Sequence, residues 1–165
     1  MPLDTIGSTL SVFTGQNYGA KNETRIHEGR RIAMKLQLVI SVVLGLVMIL
    51  FGKSIAGLFL EERSEEMLRA SYQYLLIASV PGALAGIMFV YQQVLRGIGK
   101  TKESMYSGFV QLGVKIVVIV IAMFMIRSPI AIWVAWPVSY AFGALFAWLR
   151  HRKLTRHIFA DVQND

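Results

Sequence analysis

Lysine, glutamine and serine can hold a charged or hydrogen-bonding ligand, and here they gather inside an apolar run. Lys115 lies near the middle of Ser104–Ile126. Its distance from Ser104 is ~16 Å of helix, too deep for the side chain to reach the headgroups easily. A mid-helix lysine costs roughly 2.5 to 3.5 kcal/mol to insert, so something must offset it. Gln111 sits one turn away at i−4 and can accept a hydrogen bond. Ser104, Gly108, Gln111 and Lys115 form one small or polar stripe, whereas Val117–Met125 is uniformly apolar. The stripe is expected to face a water-filled cavity or a partner helix rather than lipid. Two readings of Lys115 stand side by side. One lines a translocation path; the other is a structural charge paired with a carboxylate outside this chain.

Other signals of chemistry are weaker. Gly99-Lys100-Thr101 ends like a phosphate-binding loop, but the glycine required five residues earlier is Val94, so it reads as a basic turn. His27, His151 and His157 fall in basic segments that read as solvated, far apart in sequence, and no metal site is expected. There are no cysteines, which excludes disulfides and thiolate metal sites. No Ser-His-Asp set or paired carboxylates suggest an enzyme, and no cofactor is expected.

The elements that must position Lys115 are four long apolar runs: Leu36–Gly52, Ala70–Leu95, Ser104–Ile126 and Pro129–Leu149. A bilayer core of roughly 30 Å takes about 20 helical residues, which each run can supply. Hydrophobic residues make up 55% of the 165, and mean hydropathy is +0.52. A soluble bundle should carry a polar stripe on every helix, and Val39–Phe51 offers only Ser41. The fold class is therefore all-α and polytopic, with the lipid bilayer as partner. The net charge of +7 does not point to nucleic acid, because the basic residues cluster beside the spans.

Charge sets the orientation. Twelve Lys and Arg fall before the first run, between the second and third, and after the fourth; only Lys53, Arg63, Arg69 and Arg127 fall on the other side, offset by Glu61, Glu62, Glu65 and Glu66. The positive-inside rule places residues 21–35 and the C-terminus in the cytoplasm, and four spans require both ends on one side. Tyr72, Tyr74, Trp133 and Trp136 then read as an outer aromatic girdle, and Tyr91, Tyr106 and Trp148 as an inner one.

Helices in lipid associate through small residues. The fourth run carries Ala131, Ala135, Ser139, Gly143 and Ala147 at every fourth position, and the second carries Ala78, Gly82 and Gly86. Both ladders read as packing surfaces, with Pro81 a possible hinge. All ten acidic residues lie outside the four runs, although transporter ion sites usually use Asp or Glu. Thr5–Ala20 spans only about 24 Å as helix and reads as the end of an element begun elsewhere. A piece of a longer protein is thus expected.

Several motifs together resemble one family. Thr14-Gly-Gln-Asn-Tyr-Gly-Ala20, followed by basic residues and a long apolar helix, is similar to the segment after the eighth of twelve helices in the multidrug and toxic compound extrusion (MATE) family. Leu58-Phe59 before an acidic stretch resembles the end of the ninth. Tyr74-Leu75 with Pro81 resembles the tenth, Leu95–Thr101 the turn after it, and Ala131–Pro137 the start of the twelfth. The likeness covers roughly residues 3–150.

The resemblance implies a C-terminal portion of a plasma (inner) membrane efflux antiporter, exporting hydrophobic, often cationic drugs in exchange for Na⁺ or H⁺. Residues 1–20 would be the remnant of the eighth helix, 21–150 the last four helices of the C-terminal lobe, and 151–165 a basic cytoplasmic tail. The partners implied are the missing N-terminal helices and, in the whole protein, small-molecule drugs. Gln111 and Lys115 would line the path, with Gln92 and Gln93 nearer the cytoplasm. Many relatives carry an acidic residue and an arginine where this chain has Gln111 and Lys115. Half a cavity cannot alternate access, so no transport is expected from this chain alone. The other readings are a four-helix subunit pairing with a separate half-transporter, or part of a related lipid or polysaccharide flippase.

Overall fold

A computed structural model describes residues 2–59, 65–79, 81–126 and 129–162, and all its elements are helical. In chain order they are α1 (Pro2–Gly19), α2 (Glu23–Phe59), α3 (Glu65–Ser79), α4 (Pro81–Gly97), α5 (Thr101–Ile121) and α6 (Pro129–Val162). A π-helical turn, Ala122–Ile126, prolongs α5. Four stretches are long and apolar enough to cross a membrane: Glu23–Gly57, Ser71–Gly97, Thr101–Phe124 and Ile132–Leu154. They coincide with the four apolar runs. Both α2 and α6 extend beyond their runs into charged sequence.

The second stretch takes in α3 and α4, on either side of residue 80. The bend expected at Pro81 borders that residue, which lies outside the described residues, as do 61–64 of the acidic segment and Arg127.

Most of the apolar surface points outward. Val39, Val42, Val43, Leu50 and Phe51 on α2 and Phe109, Ile116 and Val117 on α5 are all more than half exposed. Water would penalise such surface at ~25 cal/mol per Å², whereas lipid accepts it. The chain is a multi-pass membrane protein.

The inside is held by close helix approach. α4 lies at the centre and touches α1, α2, α5 and α6. Leu10, Ile26, Ala33, Val90 and Val94 join α1, α2 and α4 in one apolar cluster. At the α1–α4 crossing a Cβ on Gly97 would sit 2.6 Å from the Ser11 carbonyl oxygen and 2.6 Å from Thr14 Cβ, so only glycine fits. The small-residue ladder of α6 turns inward, with Ala135, Ser139 and Ala147 fully buried.

Two turns share one hydrogen-bond pattern. After α4, the Lys100 amide donates to the Leu95 carbonyl and the Gly99 amide to that of Arg96, with Gly99 at φ 77°. After α1, the Asn22 amide donates to Asn17 and the Lys21 amide to Tyr18, and Lys21 takes the left-handed position at φ 54°. This pattern satisfies the last carbonyls of a helix and prefers glycine at the left-handed site. Asn22 Oδ1 then accepts from the Arg25 amide at 3.1 Å and starts α2.

Candidate functional site

The polar residues of α5 form a seam against α4 and α6, one rung per turn. At the first rung, nearest the α4–α5 turn, Arg96 Nε donates to Ser104 Oγ at 3.1 Å. At the second, Gln92 Nε2 donates to Ser107 Oγ at 2.8 Å, and the Ser107 hydroxyl reaches the Gly143 carbonyl at 3.5 Å. At the third, Gln111 Nε2 donates to Ser139 Oγ at 3.4 Å, and the Ser139 hydroxyl donates to the Trp136 carbonyl at 2.9 Å. At the fourth, Lys115 Nζ rests over the Trp136 indole, 3.2 Å from the ring centroid.

Small residues make the rungs short enough to close. A Cβ on Gly143 would lie 2.9 Å from Gln111 Cβ and 2.5 Å from Met88 Sδ. The same absence of a side chain lets α5 and α4 both approach α6.

One position of the stripe differs from the sequence reading. The second rung is Ser107, completely buried, and not Gly108, around which a Cβ would meet nothing within 4 Å. Steps of 4, 3, 4 and of 3, 4, 4 fit a 3.6-residue repeat equally well, so periodicity cannot choose between neighbours 100° apart. The hydrogen bond from α4 makes the choice.

The glutamine pair divides. Gln92 is buried toward α5, whereas Gln93 faces α1, its Nε2 3.0 Å from where a Cβ on Gly7 would be. Gln37 of α2 went unmarked in the sequence, yet it is 2% exposed, lies against Gly86, and its Nε2 has no hydrogen-bond partner among the described residues. Ser41 stands one turn on, 3.8 Å from where a Cβ on Gly82 would be. Pro81 is buried beside it.

Lys115 has an offset within the chain. A desolvated lysine over tryptophan gains about 2 kcal/mol, most of the roughly 2.5 to 3.5 kcal/mol that mid-membrane burial costs. No carboxylate forms an ion pair with Lys115 among the described residues. The sequence reading gave Trp136 only a place in the outer girdle; in the structure it is also the partner of this charge. Tyr140, one turn on, lies 6.1 Å from the Trp136 ring.

The other end of the seam is charged. Arg150 Nε pairs with Glu103 Oε2 at 2.8 Å. Tyr91 lies between Arg30, whose Nη1 donates to its hydroxyl at 3.3 Å, and His151, 5.1 Å from ring to ring. His151 is therefore buried, contrary to the solvated position read from sequence. Because α6 stays helical past Leu149, it carries His151 under Tyr91 instead of releasing it to solvent. His27 pairs with Glu23 on its own helix. The side chain of His157 lies outside those the structure describes. No three His, Cys, Asp or Glu gather as a metal site among the described residues. The seam thus offers amides, hydroxyls, one ammonium beside an indole and, at the turn end, the Arg96 guanidinium, groups that bind and orient.

The MatE family model matches residues 1–121, well over half of the chain. This chain belongs to the MatE family. It is similar to a protein of Bacillus subtilis (strain 168) described as "Probable multidrug resistance protein YoeA", with 26% identity over 167 positions. That alignment takes in 96% of this chain and 35% of the relative. A solved structure, the inward-facing conformation of a multidrug resistance MATE family transporter of the MOP superfamily, superposes with a TM-score of 0.83. It is 17% identical and covers 92% of this chain and 35% of its own, a likeness of fold. The chain thus spans about a third of the length of these MatE-type proteins.

Proposed function

We propose that this chain forms four spans of the C-terminal lobe of a MATE-type efflux transporter, and that the α5 seam lines its substrate path. The observation that supports this is the continuous polar seam, Ser104 to Lys115, on a helix that is otherwise apolar, within a chain of this family. Gln111 and Lys115 face the deeper part of the path, and Gln92, buried against Ser107 nearer the cytoplasm, backs the seam from α4. Gln93 takes part through the α1–α4 contact. Ala135, Ser139 and Gly143 hold α6 close to the seam, and Gly82 and Gly86 admit Ser41 and Gln37.

In the whole transporter, alternating access exports hydrophobic compounds from the cytoplasm across the plasma (inner) membrane in exchange for Na⁺ or H⁺. The basic segment 21–35 and the end of α6 face the cytoplasm. The runs supply no acidic residue, so the coupling carboxylate comes from the remaining helices. Those helices also complete the cavity, and this third of a transporter exports nothing alone.

Efflux in a pump-deficient bacterium tests the proposal. The chain is expressed alone, and fused behind the first two thirds of a MatE relative, with hydrophobic fluorescent compounds of either charge. The fusion is expected to lower accumulation and the chain alone to leave it unchanged. Export by the chain alone, or none by a fusion that reaches the membrane, would contradict it.

A further inference from the structure

We propose that Lys115, Gln111, Trp136 and Tyr140 form a binding site for an aromatic carboxylate, so that the transported compounds are amphipathic organic anions or zwitterions rather than simple cations. The inference rests on the seam's lining the substrate path, and it deepens that reading by fixing the charge.

Three observations converge. Lys115 is the one charged residue well inside the four apolar runs, and no acidic residue lies within them. A simple cation entering beside it meets like charge in a medium of low dielectric constant, where repulsion is poorly screened. Next, Lys115 has no carboxylate partner among the described residues and rests on an indole face. An ammonium bound to a ring quadrupole gives way to a carboxylate, because a full opposite charge attracts it more strongly in the same surroundings. Finally, the surface beside it is aromatic: Trp136 is 38% exposed and Tyr140 lies 6.1 Å from it. Lys115 leaving Trp136 frees a ring face for stacking. The Gln111 amide, held only at 3.4 Å by Ser139, can turn to donate to the same carboxylate. Ammonium, amide and ring face together read a planar acid.

Trp136 reports the exchange directly. The chain has three tryptophans, so fluorotryptophan labelling of the fusion to the first two thirds of a MatE relative, with the relative's own tryptophans replaced by phenylalanine, gives three fluorine resonances in lipid nanodiscs, and Trp136→Phe identifies one. Three probes of one shape are titrated: butylbenzoate, butylbenzylammonium and butylbenzyl alcohol. The benzoate is expected to shift the Trp136 resonance saturably and the ammonium to leave it unmoved. Lys115→Met should weaken benzoate binding by about tenfold or more, the scale of one charged hydrogen-bond partner, while Lys115→Arg retains it. Trp133 and Trp148 serve as internal folding controls in each variant.

Tighter binding of the ammonium would overturn the proposal, as would a benzoate shift that survives Lys115→Met. A saturable response to the alcohol with no preference for benzoate refutes the anion claim and leaves the path reading standing. Silence with all three probes refutes the site itself. Failure of the efflux fusion is a separate result and bears on the transporter reading.

Discussion

Gln92 and Ser107 meet at 2.8 Å, and both side chains are buried. Their individual removal should therefore cost more than their joint removal. Ser107→Ala leaves a buried amide donor unpaired, a penalty of about 1 to 3 kcal/mol. Adding Gln92→Leu should recover part of it, with a coupling of about 0.6 kcal/mol, the average for hydrogen bonds between membrane helices. Reversible unfolding in mixed micelles measures both, and strictly additive losses would contradict the rung. At this scale, the sequence displayed some of the seam and hid the rest. Ser104, Gln111 and Lys115 stand out as polar interruptions of an apolar run. Ser107 was concealed by Gly108, which suits the repeat equally well. The partners Ser139 and Trp136 lie 28 and 21 positions away from the residues they meet, and no local pattern links them. His151 looked like part of a charged tail because its neighbours are Arg150 and Arg152; only the continued helix of α6 places it under Tyr91.

Helix crossings and turns set the distances within which those pairs close. Gly97→Ala should destabilise the chain by about 1 to 3 kcal/mol or more, because the new methyl meets the Ser11 carbonyl, backbone that cannot swing aside. Gly108→Ala, on the open side of α5, should be neutral or slightly stabilising, through alanine's better helix propensity. Thermal melts followed by circular dichroism distinguish the two. Lys21 makes the opposite prediction. It holds a left-handed position that costs an L-residue roughly 1 kcal/mol or more, so Lys21→Gly should raise the melting temperature. A lower one would mean the lysine side chain contributes more than its backbone strain costs. The four spans were readable from run length alone, since about 20 apolar residues are what a bilayer requires. The true ends of α2 and α6 were not, because a helix leaving the membrane can continue through charged sequence without any apolar signal.

For the whole molecule, the question is which surface meets lipid and which meets the transported compound. Ile116 and Val117 are more than half exposed on the apolar side of α5, whereas Gln111 and Lys115 lie on the seam. The chain has no cysteine, so single cysteines can be placed without a background. The most direct measurement is the rate at which a hydrophilic thiol reagent labels each one, in membranes holding the chain fused to the first two thirds of a MatE relative. Thiols react as thiolates, which need water. Labelling is expected at Gln111→Cys and Lys115→Cys, with butylbenzoate protecting Gln111→Cys, where Lys115 is intact, but not Lys115→Cys, and no labelling is expected at Ile116→Cys or Val117→Cys. Labelling confined to positions 116 and 117, with the seam inert, would contradict the seam's place on the path.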